Sequence, residues 1–210
     1  MSSEHHRPVA NRDSNSSSRS GRREQILNTA ERLFARHGYR ETGLVDVATE
    51  LGVRRQAVYH YFPSKQEILY ELIDRAGSAV SRAADATLDS KQSPEQILAE
   101  VVRNHVRGLL ASPDIFRIQF AELPKLDGTR ADALRSDINR YVTRVADLIH
   151  AGQEDGVFAD GPPMALALMV IGMCNFTLEW HTPDSRISDE DLAELCARTA
   201  LGGVSPRPAY

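Results

Sequence analysis

Apolar residues recur along the chain at the spacing of three to four residues that is typical of amphipathic helices. The first such segment covers residues 22–37, and Gly38 follows it as a terminator. A short helix is predicted over residues 44–51, and another between Gly52 and Pro63, since proline disfavours helical geometry in the residue before it. Three helices are therefore predicted before residue 63.

Six further helical segments are predicted beyond Pro63. Four of them begin at a serine that is part of a helix-start signal. Ser93 and Ser112 are followed by proline, Ser64 has a glutamate three residues later, and Ser188 precedes an acidic run. The six begin at or near Ser64, Ser93, Ser112, Leu134, Pro162 and Ser188. Pro124 is expected to end the third of these helices, and Gly152 or Gly156 the fourth. Because no segment alternates as a strand does, an all-α fold is predicted, in which a long helix joins a three-helix N-terminal part to a larger bundle.

The composition describes an ordinary globular chain, with 41% hydrophobic and 26% charged residues and a net charge of -4. The longest apolar run, residues 162–178, is too short for a membrane-spanning helix, and the N-terminus has no apolar stretch of the secretory type. The two cysteines, Cys174 and Cys196, favour a reducing compartment. A cytoplasmic protein that does not enter a membrane is therefore predicted.

Charge is divided unevenly along the chain. Residues 1–75 contain 12 Lys and Arg against 10 Asp and Glu, whereas residues 76–210 contain 13 against 19. Residues 1–23 contain five arginines against two acidic residues, and residues 1–20 have too few apolar side chains to fold. We predict a disordered basic arm over residues 1–20, which is either a solvated tail or a segment that contacts a polyanion.

The segment around Gly52 has the spacing of a helix-turn-helix. Such a motif needs a small residue where the two helices cross, a glycine in the turn and a branched apolar residue behind it, and Ala48, Gly52 and Val58 supply them. The other side of the second helix is polar. It presents Arg54, Arg55, Gln56, Tyr59 and His60. Arginine and glutamine are the side chains that bond guanine and adenine edges bidentately, so this surface is a candidate for DNA recognition.

Residues 22–72 resemble the DNA-binding domain of TetR-family transcriptional regulators. The resemblance is carried by the motifs G-Y-x-x-T, D-V-A, L-G-V and Y-H-Y-F-P-S-K-Q-E. It implies a homodimer whose third helices enter the major groove of a palindromic operator, together with domain boundaries at residues 1–20, 21–66 and 67–205. The matching positions imply DNA contacts by Thr42, Arg55, Gln56, Ala57, Tyr59, His60 and Lys65, to which the residue pattern adds Arg54.

Two positions depart from the family pattern. Gly43 stands where members usually carry a serine or threonine, and Val45 stands where a basic residue is common. Affinity for DNA is therefore expected to depend more on Arg54, Arg55 and the N-terminal arm. Thr42 is, in addition, the expected cap of the second helix.

The larger domain is expected to bind a hydrophobic effector and to form the dimer through its last two helices. His105 and Asn175 interrupt apolar helix faces, and each is either a polar anchor in a pocket or a hydrogen-bonded core residue. The candidate ligand-binding residues are His105, Phe116, Phe120, Met169, Met173, Asn175, Phe176 and Trp180. Residues 178–183 resemble family members of lipid and steroid catabolism, which implies an effector such as an acyl-CoA or a steroid.

Other interpretations remain open. The apolar helix over residues 164–178 is either a dimer element or an internal core helix, and the C-terminal domain either binds a ligand or only dimerises. An enzyme is disfavoured, since the sequence has no GxSxG, HExxH, phosphate-binding loop or dinucleotide-binding glycine motif. Cys174, His181 and Cys196 are a remote candidate for a metal site. No cofactor is predicted.

Overall fold

The structure is a computed structural model that describes residues 13–205. Over this range the chain forms nine α-helices, one 3₁₀ turn at Leu123–Lys125 and no strand, which confirms the predicted all-α fold. The helices are α1 (Asp13–His37), α2 (Leu44–Glu50), α3 (Arg55–Tyr59), α4 (Lys65–Leu88), α5 (Pro94–Ala111), α6 (Pro113–Glu122), α7 (Thr129–Glu154), α8 (Pro163–Trp180) and α9 (Asp189–Val204).

The chain divides into two compact units, an N-terminal unit that ends at Leu69 and a C-terminal unit that begins at Tyr70. In the N-terminal unit, helices α1 to α3 bury the apolar positions that the periodicity indicates. The buried set includes Ile26, Leu27, Phe34, Leu44, Val47, Val58 and Phe62. The first turn of α4 belongs to this unit as well.

Helix α1 begins at Asp13, earlier than the sequence predicts. The expectation of a disordered arm over residues 1–20 is therefore wrong for residues 13–20, which are helical, while residues 1–12 lie outside the described part of the chain. The physical reason is that extending a helix from an anchored turn costs much less than nucleating one. The buried face that starts at Ile26 supplies that anchor.

The start of α2 also differs from the prediction. Gly43, and not Thr42, occupies the cap position, and the Gly43 amide donates to the Asp46 carboxylate at 2.7 Å. The Thr42 hydroxyl donates instead to the Gly38 carbonyl, at 2.9 Å. Asp46 thereby satisfies a backbone donor at the helix start and places a negative charge where the helix dipole favours one.

In the C-terminal unit, α5 packs against α7, α8 and α9 and supplies much of the core. Its start is fixed by a capping box, in which the Gln96 amide donates to the Ser93 hydroxyl at 3.4 Å and the Ser93 amide to the Gln96 side chain at 3.2 Å. Proline at the first helical position completes the predicted start signal. The buried face includes Leu98, Val101, Val102, Val106 and Leu109.

Helix α7 ends at Glu154, so of the two predicted terminators Gly156 is the correct one. Gly156 has a φ of +73°, a backbone conformation that glycine adopts readily. Gly152 lies inside the helix, where a Cβ would come within 2.2 Å of the Phe158 ring. Gly152 is thus a packing residue that lets the following loop fold back on α7.

Helix α8 is the one described helix that is long and apolar enough to cross a membrane, judged by length and composition alone. Within one chain, only one of its faces is covered. One face packs against α5, α7 and α9, with Ala167, Cys174 and Leu178 in the core. The other face is exposed and apolar. It carries Met164, Leu168, Met169, Phe176 and Trp180.

Candidate functional site

The turn between α2 and α3 sets how the two helices cross. Gly52 lies in this turn with a φ of +64°, in the left-handed region that other residues enter only at a cost. The Val53 amide donates to the Ala48 carbonyl at 3.0 Å and closes the turn. Val58 is completely buried and packs α3 into the unit. This is the helix-turn-helix that the sequence predicts.

The remaining residues at and around α3 are exposed. They are Arg54, Arg55, Gln56, Ala57, Tyr59 and His60. The Arg55 guanidinium donates to the Tyr59 hydroxyl at 2.9 Å and lies 4.8 Å from the centre of its ring. Two guanidinium groups, a side-chain amide and a hydroxyl are therefore presented on one short helix. These groups have the donors and acceptors that contact base edges and phosphates in a DNA groove.

Two of the predicted DNA-contacting residues are engaged inside the protein instead. Thr42 is only 2% exposed, and its hydroxyl proton is committed to the Gly38 carbonyl. The Lys65 ammonium donates to the carbonyls of Tyr39, Arg40 and Thr42 at 2.8, 2.7 and 3.0 Å. Since an ammonium has three N–H donors, these bonds use all of them. In this structure both side chains hold the loop after α1, and their role as DNA contacts stays a prediction.

The two departures from the family pattern leave no positively charged side chain at positions 43 and 45, at the start of α2. Val45 is 48% exposed and has no hydrogen-bonding group on its side chain. Gly43 offers only backbone, and its amide is bonded to Asp46. Arg54 and Arg55 are the only lysine or arginine side chains within residues 43–62, and their larger share in DNA affinity stays a prediction.

A cavity of about 120 Å³ lies in the C-terminal unit, lined by residues from α4, α5, α6, α7 and α8. Of the eight predicted ligand-binding residues, it brings together His105, Phe116, Phe120 and Asn175. Most of the remaining wall is apolar and includes Leu109, Val142 and Ile171. A mostly apolar wall with a few buried polar groups is typical of small-molecule sites.

A three-residue hydrogen-bond network forms one wall of this cavity. His105 Nε2 lies 2.9 Å from Asn175 Oδ1, and His105 Nδ1 lies 2.9 Å from the Tyr141 hydroxyl. The His105 and Tyr141 rings stack, with their centres 5.5 Å apart. Because the Asn175 oxygen accepts, we assign the imidazole proton to Nε2, so that Tyr141 donates to Nδ1. Burial lowers the pKa of His105 more than the Asn175 hydrogen bond raises it, so the ring is neutral at pH 7.

The other four predicted ligand-binding residues do not line the cavity. Met169, Phe176 and Trp180 are 70%, 64% and 49% exposed on the outer face of α8, and Met173 packs partly buried against the core. Their assignment to the pocket is wrong. Because α8 is apolar on nearly all sides, its sequence does not show which face is turned inward.

Gln119 and Tyr141 are two of the polar lining residues that were not predicted from the sequence. Tyr141 lies on the apolar stripe of α7, where a residue is as typical of core packing as of a site. Gln119 lies in α6 between the apolar positions Ile118 and Phe120 and is nevertheless 6% exposed. The available signal was the helical spacing of Gln119 from Phe116, which places both on one face.

The remote metal-site hypothesis finds no support in the geometry. His181 Nε2 lies 2.7 Å from Asp189 Oδ1. The Cys174 thiol donates a hydrogen bond to the Cys196 sulfur, and this bond, together with burial, raises the pKa of Cys174. Among residues 13–205 no group of three or more His, Cys, Asp and Glu side chains is arranged to hold a metal ion.

Comparison with known proteins matches both units to one family. Residues 26–72 match the family described as bacterial regulatory proteins of the tetR family, and residues 91–204 match the tetracyclin repressor-like C-terminal domain. The second match alone covers more than half of the chain. The protein belongs to the TetR family and is a DNA-binding transcriptional regulator of the helix-turn-helix type.

Individual relatives agree with this assignment over nearly the whole length. The HTH-type transcriptional repressor KstR2 of Rhodococcus jostii is 25% identical over 195 residues, which cover 90% of this chain and 94% of that protein. The structure of the ketosteroid transcriptional regulator KstR2 of Mycobacterium tuberculosis has a TM-score of 0.82 at 21% identity, covering 89% of this chain and 96% of the other. The complex of AibR with isovaleryl coenzyme A and operator DNA has a TM-score of 0.75 at 21% identity, covering 88% and 98%.

Proposed function

We propose that this regulator is a ligand-responsive repressor that binds a palindromic operator as a homodimer. Its release is triggered by a hydrophobic small molecule that enters the cavity. The observation that carries the proposal is the exposed surface of α3, where Arg54, Arg55 and Gln56 stand on a helix anchored by the buried Val58. Bidentate contacts from arginine to guanine and from glutamine to adenine supply sequence specificity.

The exposed face of α8 supports the homodimer. Met169 and Phe176 are among its apolar side chains, and Gly172 between them has open space around it. Monomeric soluble proteins rarely expose a contiguous apolar stripe of this kind, and a glycine lets a second helix approach closely. A two-fold dimer also matches a palindromic operator, since each protomer then meets one half-site.

The cavity and the relatives support an effector of small-molecule type. AibR is described in complex with isovaleryl coenzyme A and operator DNA, and KstR2 is named a ketosteroid regulator. In this chain, the cavity wall is apolar over most of its surface and also carries buried polar groups, which favours ligand binding over a C-terminal domain that only dimerises.

Release follows from a shift of α4. This helix lines the cavity with Ile73, Gly77 and Ser81, and its first turn lies in the N-terminal unit. A ligand that moves α4 changes the separation of the two recognition helices in the dimer. The helices then no longer match the spacing of the two half-sites, so the affinity for the operator falls. The ligand must bind the released state more tightly, by about 1–3 kcal/mol for ordinary allosteric coupling.

Two further parts of the proposal concern location and the N-terminus. The protein works in the cytoplasm, where its operator is.

Residues 1–12 include Arg7 and Arg12, and we propose that they contact DNA flanking the operator. Deleting residues 1–12 should weaken operator binding and flatten its salt dependence, since fewer counterions are released. Unchanged affinity and slope would eliminate this role of the arm.

The test of the main proposal begins with selection of bound sequences from random duplex DNA by the purified protein. The selected site should be a palindrome. The double variant Arg55→Ala/Gln56→Ala should lose at least about tenfold in affinity for it, since each bidentate contact contributes about 1–3 kcal/mol. Arg186→Ala is the control, because it removes a positive charge from an exposed loop of the C-terminal unit.

Three outcomes would contradict the proposal. The first is failure to select any common sequence at low salt. The second is an equal loss of affinity in the Arg186→Ala control, which would indicate that DNA binding depends on overall charge and not on recognition of bases. The third is that no hydrophobic small molecule, whether acyl-CoA, steroid or simple alcohol, releases the selected DNA.

A further inference from the structure

Helix α4 contributes a polar stripe to the wall of the cavity. The stripe consists of Asp74, Ser78 and Ser81, whose spacing of four and three residues places them on one face of the helix. Within residues 13–205, none of these three side chains forms a hydrogen bond or an ion pair with another residue. One carboxylate and two hydroxyl groups, all of which accept hydrogen bonds, are therefore available to a ligand.

Gly77 leaves space open beside the polar stripe. It lies inside α4, it lines the cavity, and a Cβ at this position would meet no atom within 4 Å. Glycine destabilises a helix interior relative to alanine, and no packing contact in the described part of the chain requires it here. Gly108 of α5 differs, because a Cβ there would come within 2.4 Å of Val80. The space next to the polar stripe is thus free to take up part of a ligand.

The buried part of the lining favours a compact apolar body. Leu109 and Phe116 are buried there, and both ring nitrogens of His105 are already engaged, by Tyr141 and Asn175. The volume of the cavity is about 120 Å³. For comparison, an engineered apolar cavity of roughly 150 Å³ binds benzene. The part of the ligand that enters is therefore about the size of one six-membered ring.

The charged residues of the lining favour a cation. They are Asp74 on α4 and Asp137 and Arg140 on α7, and Asp137 pairs with Arg140 at 2.8 Å. The remaining formal charge is the -1 of Asp74, because the buried His105 is neutral. An anion would be repelled by this carboxylate, whereas a cation would form an ion pair with it. Since Asp74 is exposed, the cation would keep part of its hydration.

We propose that the effector is an amphiphilic cation, with a compact apolar ring in the cavity and a protonated amine that pairs with Asp74 and donates a hydrogen bond to Ser78. Side chains four residues apart on a helix have Cβ atoms about 5–6 Å apart, so one ammonium group reaches both. This inference rests on the proposed effector role of the cavity and specifies the chemical class of the ligand. Because Asp74 and Ser78 lie on α4, the amine contacts the helix whose shift is proposed to release the operator.

The experiment compares three probes with one carbon skeleton by NMR titration of the full-length protein without DNA, at pH 7 and low salt. Cyclohexylmethylamine carries a positive charge, cyclohexylmethanol carries none, and cyclohexanecarboxylate carries a negative charge. The amine should bind about threefold to fivefold more tightly than the alcohol, the effect of one partly exposed ion pair, and the carboxylate should bind most weakly. Added salt should reduce the preference for the amine. Equal or tighter binding of either other probe, or no binding of the amine, would overturn the proposal.

Reversing the charge at position 74 tests the assigned residue. In Asp74→Lys, one carboxylate of the lining faces two cationic groups, so the order of affinities should invert and the carboxylate should bind more tightly than the amine. The position is exposed and lysine is a good helix former, so the variant should fold. Asp184→Lys makes the same change at an exposed loop position and should keep the wild-type order. An unchanged order in Asp74→Lys, or an equal inversion in the control, would contradict the role of Asp74.

Operator release by cyclohexylmethylamine is measured separately and should occur at concentrations that fill the cavity. If the amine binds with the expected preference but leaves the protein on DNA, the cation site stands and the effector role in the proposed function fails. If the protein binds its operator but does not prefer the amine, DNA recognition stands and the inferred ligand class fails.

Discussion

Lys65 shows how a charged side chain can stabilise a loop. Three carbonyl oxygens, from Tyr39, Arg40 and Thr42, converge on its ammonium, and its Nζ lies 4.7 Å from the centre of the Tyr39 ring. Hydrogen bonds to a charged donor are stronger than those between neutral groups. Lys65 therefore ties the start of α4 to the loop between α1 and α2, and so positions the helix-turn-helix.

Replacing this lysine separates its structural role from a DNA contact. Lys65→Met keeps the aliphatic stem and removes the three hydrogen bonds, so it should lower the free energy of unfolding by about 1–3 kcal/mol in urea titrations. The slope of log affinity for the operator against log salt should stay unchanged. A slope reduced by about 0.9, the value of one phosphate contact, with unaltered stability would show that Lys65 binds DNA instead.

The buried His105 should make the stability of the protein depend on pH. Burial lowers its folded-state pKa below the unfolded value of about 6.5, so the unfolded chain binds the proton more readily as the pH falls. Stability should therefore decline as the pH drops below about 6.5, until the folded-state pKa is reached. His105→Gln, which stays neutral, should weaken this decline in melting temperatures measured across that range. The exposed His150→Gln is the control and should keep the wild-type profile.

At the scale of elements, α3 depends on its surroundings. It has five residues, far fewer than an isolated helix needs in water. It persists because Val58 is buried and because the turn before it is closed by the bond from Val53 to Ala48. The recognition surface is consequently only as rigid as the turn at Gly52.

Two glycine substitutions in the same unit test that dependence. Gly52→Ala meets no atom within 4 Å, so its cost is the strain of a positive φ, about 1–2 kcal/mol. Gly21→Ala, inside α1 with equally open space, should instead stabilise by about 0.5–1 kcal/mol. Thermal unfolding measures both. Similar changes in the two variants would mean that the turn conformation is not a determinant of stability.

The sequence predicted elements well where the signal is local. Helix starts at Ser93 and Ser188 and the turn at Gly52 follow from side-chain capping and backbone conformation, which involve residues close in the chain. Which face of α8 lies inward depends on contacts with distant helices, and a helix that is apolar all round gives no periodic signal for it. For that reason the sequence does not place Phe176 and Trp180 on the outer face of α8. It also does not show that the polar Gln119 of α6 is buried.

At the scale of the whole molecule, charge and apolar surface are divided between the two parts of the chain. Residues 1–75 have a net charge of +2 and residues 76–210 a net charge of -6, from the counts given above. In the field of a polyanion this asymmetry orients the N-terminal part toward DNA before any specific contact forms. The exposed apolar face of α8 lies in the acidic part, where it does not compete for the same partner.

Dimerisation through that face predicts a stability that depends on protein concentration. Phe176 is 64% exposed, so Phe176→Glu removes no core contact in the single chain. In a dimer it would bury a carboxylate on each side of an apolar interface, which costs several kcal/mol. Sedimentation should show a dimer for the wild type and a monomer for Phe176→Glu, with a melting temperature that no longer rises with concentration.

Thr143→Glu provides the control, because it adds the same charge at an exposed position of α7. This variant should remain dimeric. Loss of dimers should also weaken binding to a full palindrome much more than binding to a half-site, since only the dimer contacts both halves at once. If Phe176→Glu stays dimeric and binds the full palindrome normally, the two protomers meet through another surface, and the apolar face of α8 needs a different explanation.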